Sequence, residues 1–367
     1  MRRRFIHFIS SAHIFFYALL WLMVLLVSGT IAQRSVGLYQ SQQTFFSSFL
    51  FFVGPIPLPG GYMTLGIIFL NLFAKLIFKS PWTKSRFGIN VIHVGALMLL
   101  FGGFLTAVMN VEGALVLAEG EKSHLYSDYH ELEFSVMDQQ HETHFLFPEK
   151  KLSSGERLPF FDLPVKMTIA NFYRNCHIVQ RSTLTNQEYH GFAKIFELQS
   201  LPLEKEDTKN RACLSLRVEG IKKENEGIYA VMESMPIEQT LEVNEKKYIL
   251  SIRRKERQLP FSIELLDFEK KMHAGTDMAK SYRSQVFLLD GELRESRVIE
   301  MNRPLRYKGY TLYQASFIEG LDQETSVFAV VRNTGRLFPY LSSIVMCAGL
   351  LLHLFSSVPN LIRKRRA

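Results

Sequence analysis

The chain has 367 residues, more than one ordinary compact domain needs, and its 47% hydrophobic content suits a soluble protein better than a polytopic transporter. That average conceals two parts, because long apolar runs fill residues 1–110 and 338–358 while 111–337 is polar and charged. A net charge of +8 invites a nucleic-acid reading, but ten of the basic residues lie in three short clusters free of acids: Arg2, Arg3 and Arg4; Lys79, Lys84 and Arg86; and Arg363, Lys364, Arg365 and Arg366. Taking those ten from +8 leaves about −2 for the rest, so the basicity marks membrane topology and no nucleic acid is expected as a partner.

Crossing a hydrocarbon core of about 30 Å takes roughly 20 apolar residues at about 1.5 Å each. Four runs meet or approach that length, and the spacing predicts transmembrane helices over Ile14–Ala32, Tyr62–Phe78, Gly88–Met109 and Pro339–Val358. The first run is too long for a secretory signal and is followed by further spans, so it is read as retained. Lys75, inside the short second run, is placed to snorkel toward the basic turn that follows it. The loop between the first two spans, residues 33–61, holds an apolar stretch from Phe45 to Val53 and then Pro55, Pro57, Pro59, Gly60 and Gly61. A stretch of half a span lies in the interface or re-enters more readily than it crosses, and this one is expected on the outer face. With four spans all three basic clusters fall on one side. The positive-inside rule then makes both termini and the Lys79–Arg86 turn cytoplasmic, and puts residues 33–61 and 111–337 outside. The absence of a transit peptide and these clusters suit a bacterial inner membrane.

Between 111 and 337 the signal is two-residue alternation in short segments, Leu214–Val218, Tyr248–Ile252, Phe261–Leu265 and Tyr310–Gln314, separated by turn-rich or charged stretches. The expected domain is β-rich and sandwich-like, inserted between the third and fourth spans, with two sub-sheets as one arrangement and no long amphipathic helix. Cys176 and Cys213 have 36 residues between them, which excludes a metal knuckle; they are either two separate buried thiols or, in an oxidising compartment, a pair. Histidines 124, 130, 141, 144, 177, 190 and 273 are scattered, with His141 and His144 on an expected exposed turn, and no phosphate loop, nucleophile elbow, metal-binding His pair or CxxC motif is present. The domain reads as a scaffold or contact surface rather than a stand-alone enzyme.

Ionisable residues inside a span are costly and are candidates for function. His93 lies five residues in from Gly88 and His353 five in from Val358, which counts to about 7–8 Å inside the same leaflet for both. Each is either a polar interhelical contact or a ligand, since neutral imidazole binds haem iron and helices offer the apolar cleft that haem needs. The two could face each other or one shared ligand. His13 reads as interfacial, and Asn71, in the middle of the second span, as a contact between helices or with a haem propionate.

Several stretches together resemble the ResB family of cytochrome c biogenesis proteins: Thr30–Gln33, Gly37–Tyr39 with Gln43, Pro57–Gly61, Ile92–Gly95, Glu112–Gly113 with Glu119–Glu121, and Met301–Phe317. The order of three spans, large outer domain and final span fits as well. The resemblance implies a subunit of a membrane complex with a CcsA- or ResC-type partner that carries a tryptophan-rich haem-binding segment. Together they carry haem b outward, held transiently and shared, and present it to apocytochrome c for thioether attachment. By motif it makes His93 a ligand of the haem iron, with His353 the weaker cofactor-binding candidate. Only Trp21 and Trp82 occur here, so this chain is not expected to complete ligation alone. The competing reading is a membrane-anchored module that binds or senses partners outside without a cofactor. A transporter would need more spans or an internal repeat.

Overall fold

Inside lipid a helix satisfies every backbone polar group within its own segment, and the four apolar runs form helices accordingly. The computed structural model describes residues 2–138, 144–160, 164–181, 188–272, 279–319 and 324–366. The chain begins with α1 (Arg2–Ile9) and α2 (Ala12–Val36), which Ser11 caps, then α3 (Leu38–Ser41) and a π turn over Gln42–Phe46. A hairpin of β1 (Leu50–Val53) and β2 (Ile56–Pro59) follows, and then α4 (Gly61–Phe78) and α5 (Phe87–Met109). Next come β3 (Val111–Ala118), β4 (Lys122–Asp138), β5 (His144–Pro148), β6 (Arg157–Leu158), β7 (Lys166–Tyr173), β8 (Cys176–Gln180), α6 (Phe192–Ile195) and β9 (Phe196–Ser200). The strands continue with β10 (Cys213–Glu219), β11 (Gly227–Met232), β12 (Gln239–Val243), β13 (Lys246–Met272), β14 (Ala279–Asp290) and β15 (Leu293–Glu300). The chain closes with β16 (Leu305–Tyr307), β17 (Tyr310–Glu319), β18 (Glu324–Arg332) and α7 (Phe338–Arg366). Two compact units result, Met1–Val111 with Val331–Ala367, and Glu112–Val330.

In the helical unit α2, α4, α5 and α7 are each long and apolar enough to cross a membrane. Sequence neighbours pack side by side, α2 on α4, α4 on α5 and α5 on α7. Residues 331–337 belong to this unit: Thr106 of α5 donates to the Asn333 side chain at 3.0 Å, and that same oxygen accepts from the Gly335 amide at 2.8 Å. The segment expected on the outer face folds against α2. Ser41 donates to the Gly29 carbonyl at 2.6 Å and Trp21 to the Pro59 carbonyl at 2.9 Å. A side chain at Gly60 or Gly61 would run into the backbone of Ser48 or Phe46, which is why two glycines stand where the hairpin enters α4. The hairpin buries Phe51 and exposes Phe49, Leu50, Phe52, Val53 and Ile56.

The β unit contains two principal sheets. Strands β11, β10, β7 and β6 form one, and its apolar face (Met167, Ile169, Leu214, Leu216, Val231) packs on Phe134, Val136, Leu241, Leu250 and Ile252 of the larger sheet, giving the expected sandwich. The larger sheet has ten strands, ordered β15-β14-β13-β4-β3-β18-β17-β16 with β12 and β5 paired at its flank. Its end strands β15 and β16 come into contact, so this half curls nearly into a barrel. Strands β8 and β9 make a separate hairpin, and the helical turns among the described residues are short.

Two details correct the sequence reading. Tyr248–Ile252 and Phe261–Leu265 are parts of one strand, β13, because the polar stretch between them is held by charge pairs across the ladder to β4: Arg253 with Glu133, Lys255 with Glu131 and Arg257 with Asp128. Pro260 falls where that ladder shifts register, a place that tolerates its missing amide hydrogen. Cys176 and Cys213 are disulfide-bonded with Cα atoms 6.1 Å apart, so the reading as separate thiols gives way to pairing. The pairing follows from β10 lying beside β7, whose end leads directly to Cys176.

Candidate functional site

Three glycines seven residues apart, Gly88, Gly95 and Gly102, form one stripe of α5, and α7 lies against it. A Cβ on Gly88 would run into the His353 backbone and stand 2.7 Å from the Gly349 carbonyl; one on Gly95 would stand 2.5 Å from Met346 Cγ. Close approach of two backbones through small residues is how membrane helices gain contact without a hydrophobic driving force between them. His353 is thus positioned by its backbone at the α5–α7 seam, level with Gly88, and its ring lies 3.4 Å from Ser357 Oγ one turn on.

His93 occupies a different face. Five residues beyond Gly88, it stands about 140° round α5 and about 7–8 Å further along. This is the side toward α4, where Val94, Ala96 and Leu97 pack with Phe69, Leu72 and Leu76. Its Nδ1 is buried without a hydrogen-bond partner, and Lys75 of α4 is near enough to act on the ring electrostatically. The structure therefore does not bring the two histidines to one point or one depth. His353 lies level with Gly88, five residues nearer the start of α5 than His93.

Of the other candidates, Asn71 has structural partners. Asn71 is buried, and its amide donates to the carbonyls of Ile9 at 2.5 Å and Ser11 at 2.8 Å, so it fastens α4 to the α1–α2 junction and has no donor left for a propionate. His13 is exposed at the start of α2.

In the β unit the scattered histidines conceal one that matters. His130 Nδ1 stands 2.7 Å from Asp207, a carboxylate buried to 3% exposure that also faces Arg174 at 3.5 Å and Arg254 at 3.7 Å. Arg174 and Arg254 go on to Glu149 and Glu233, each at 2.9 Å. Burial alone would raise the Asp207 carboxyl; the His130 hydrogen bond and the charges of Arg174, His130 and Arg254 outweigh it and hold Asp207 below the usual aspartate range. Residue spacing gave no sign of this hub, which joins segments 77 residues apart. His190 Nε2 donates to the Glu226 carbonyl at 2.7 Å and its ring stacks on Tyr229, while His124 and His177 are exposed. His141, His273 and the His144 side chain lie outside the described residues. No group of three or more metal-ligating side chains occurs among the described residues.

Residues 226–328, from β11 to β18, match the model of the ResB-like family. Over that segment the chain is similar to ResB-like proteins. A curated relative, Protein NrfI of Wolinella succinogenes, is 26% identical over 305 residues, covering 79% of this chain and 29% of that protein, so the chain spans under a third of that relative's length. Several residues that carry the ResB resemblance serve the fold. Gly120 takes φ +79° at the β3–β4 turn, Glu119 accepts from the Phe268 amide at 2.9 Å, and Gln314 is bonded inside the larger sheet. His93 is the exception, an unpartnered polar atom in an apolar helix.

Proposed function

We propose that this ResB-like protein is a haem-handling subunit of a cytochrome c synthase complex, multi-pass in a bacterial inner membrane. In this reading it helps carry haem across and present it to apocytochrome c, together with a CcsA- or ResC-type partner. The helices support the orientation it needs: Lys79 reaches the His7 carbonyl and Gly88 lies against His353, so all three basic clusters belong to one end of the helical unit. The positive-inside rule assigns that end to the cytoplasm, and hence residues 112–330 to the other side.

The observation that carries the proposal is the buried, unpartnered Nδ1 of His93. A polar nitrogen left unbonded in an apolar environment costs about 1–3 kcal/mol, and a bond to metal or to a partner's donor removes that cost. His93 would be the residue of this chain that holds the haem iron: its imidazole stands on an apolar helix beside the Phe69, Leu72 and Leu97 cluster. His353, whose backbone lies at the α5–α7 seam, stands apart from His93, and in this reading the second ligand comes from the partner. Bound haem would supply the vinyl groups to which apocytochrome thiols add; this chain's part is to hold, orient and shield it.

The absorption spectrum of the purified protein, alone and co-expressed with its partner, tests the reading. A Soret band is expected in the wild-type complex and a band weakened severalfold in His93→Ala, with His353→Ala close to wild type. Absence of haem from both wild-type samples, with cytochrome c maturation intact in His93→Ala, would favour a cofactor-free binding module.

A further inference from the structure

Every one of the 35 carboxylate side chains lies within residues 112–330, so the helical unit carries 14 lysines and arginines and no acid at all. Inside that unit the fold concentrates positive charge at the end where α4 passes into α5. Lys79 donates to the His7 carbonyl at 3.2 Å and its Nζ stands 3.4 Å from His7 Nδ1, while the buried Asn71 amide holds the end of α1 against α4. Arg4 is exposed on the anchored α1, and Lys84 and Arg86 are exposed on the turn that Lys79 opens. Around these charges stand large exposed apolar side chains: Phe5 and Phe8 of α1, Phe78, and Trp82 packed edge-on against Phe87.

Two unit charges about 4 Å apart interact by about 1 kcal/mol in water and more near a low-dielectric surface, so cations gathered without a carboxylate repel each other unless an anion sits among them. A short basic helix with exposed aromatics, fixed at the end of transmembrane helices, has the composition of a segment lying in the headgroup layer. Free anions would satisfy the charge but not the aromatic rim; a phospholipid satisfies both, its phosphate meeting Lys79, Lys84 and Arg86 and its chains meeting Phe78, Trp82 and Phe87. We infer that the α1–Lys79–Arg86 junction is a binding site for the headgroup of an anionic phospholipid, and that this lipid locks α1 onto α4. The inference does not depend on haem or on the proposed function.

The test uses the full-length protein in mild detergent doped with equal amounts of phosphatidylglycerol and phosphatidylcholine, with retained lipids counted by native mass spectrometry. Wild type is expected to retain the anionic lipid preferentially. Each removed charge near a membrane surface lowers the attraction about fivefold, so Lys79→Gln with Lys84→Gln should reduce that preference by on the order of tenfold or more. Lys79→Arg, which keeps the charge, and Arg34→Gln, at the opposite end of α2, should leave it in place. The inference is overturned if wild type shows no preference, if Arg34→Gln or Lys79→Arg loses it as fully as the double variant, or if millimolar inorganic phosphate displaces the anionic lipid.

Discussion

Asp207 shows how much a single residue carries in the β unit. It lies on the turn Asp207–Lys209 and answers to one histidine and two arginines that come from β4, the β7–β8 connection and β13. Breaking a buried ion pair by deleting one partner leaves the others without compensation, and Asp207→Ala is expected to cost about 3 kcal/mol of unfolding free energy. Because the folded Asp207 is held below its ordinary value, protons favour the unfolded chain. Its contribution is present above about pH 4 and is lost as pH falls through the folded value. Glu149 has the opposite sign: burial raises it first of all, with Arg174 pulling it back, so its contribution is present at low pH and lost as pH rises through the folded value. Denaturant unfolding from pH 2.5 to 6 checks both. Asp207→Asn should flatten the acid limb, Glu149→Gln should remove the loss of stability that Glu149 adds as pH rises, and an unchanged acid limb in Asp207→Asn would remove Asp207 from the account.

Among the elements, α5 depends most on its glycines, and the structure supplies its own control. Gly88 faces backbone atoms of α7, which cannot rotate away, whereas a Cβ on Gly103 would meet nothing within 4 Å. Gly88→Ala is therefore expected to push α7 off α5 and lower the midpoint of thermal unfolding in detergent. Gly103→Ala gains up to about 1 kcal/mol of helix propensity and should leave that midpoint unchanged or raise it. Equal effects of the two substitutions would mean that the seam does not hold the helices together. Such a seam leaves His93, on the far side of α5, clear of α7 and available to α4 or a partner. That is a consequence of helical period and not of the histidine's own sequence context.

For the whole molecule, what could be read from the sequence follows what the solvent enforces. Lipid demands length and apolarity, so all four spans, their order and the inserted β-rich domain were legible. The ends were less so: α2 extends to Val36 because the segment from α3 to β2 packs on it, and α1 was invisible beside its three arginines. His93 was legible as an ionisable residue in a span, but its separation from His353 depended on how α7 docks along α5. Long-range pairing was hidden altogether, since neither the Asp207 hub nor the charge ladder of β13 leaves a local pattern, and the two cysteines gave only a possibility. The disulfide decides how far the β unit can stand alone. That unit has its own sandwich core, its own near-closed sheet and both cysteines, so residues 112–330 should fold without the helices. Closing a loop whose ends are 37 residues apart removes unfolded-state entropy worth about 4 kcal/mol at most. Urea unfolding of the isolated unit should be cooperative, with both thiols protected from titration. Cys213→Ala should lose about 2–4 kcal/mol, and the double variant with Cys176→Ala scarcely more, because only one constraint exists to lose. Additive losses would mean that the two side chains stabilise the core separately by packing, and an isolated unit without cooperative unfolding would mean that the helices are part of its folding.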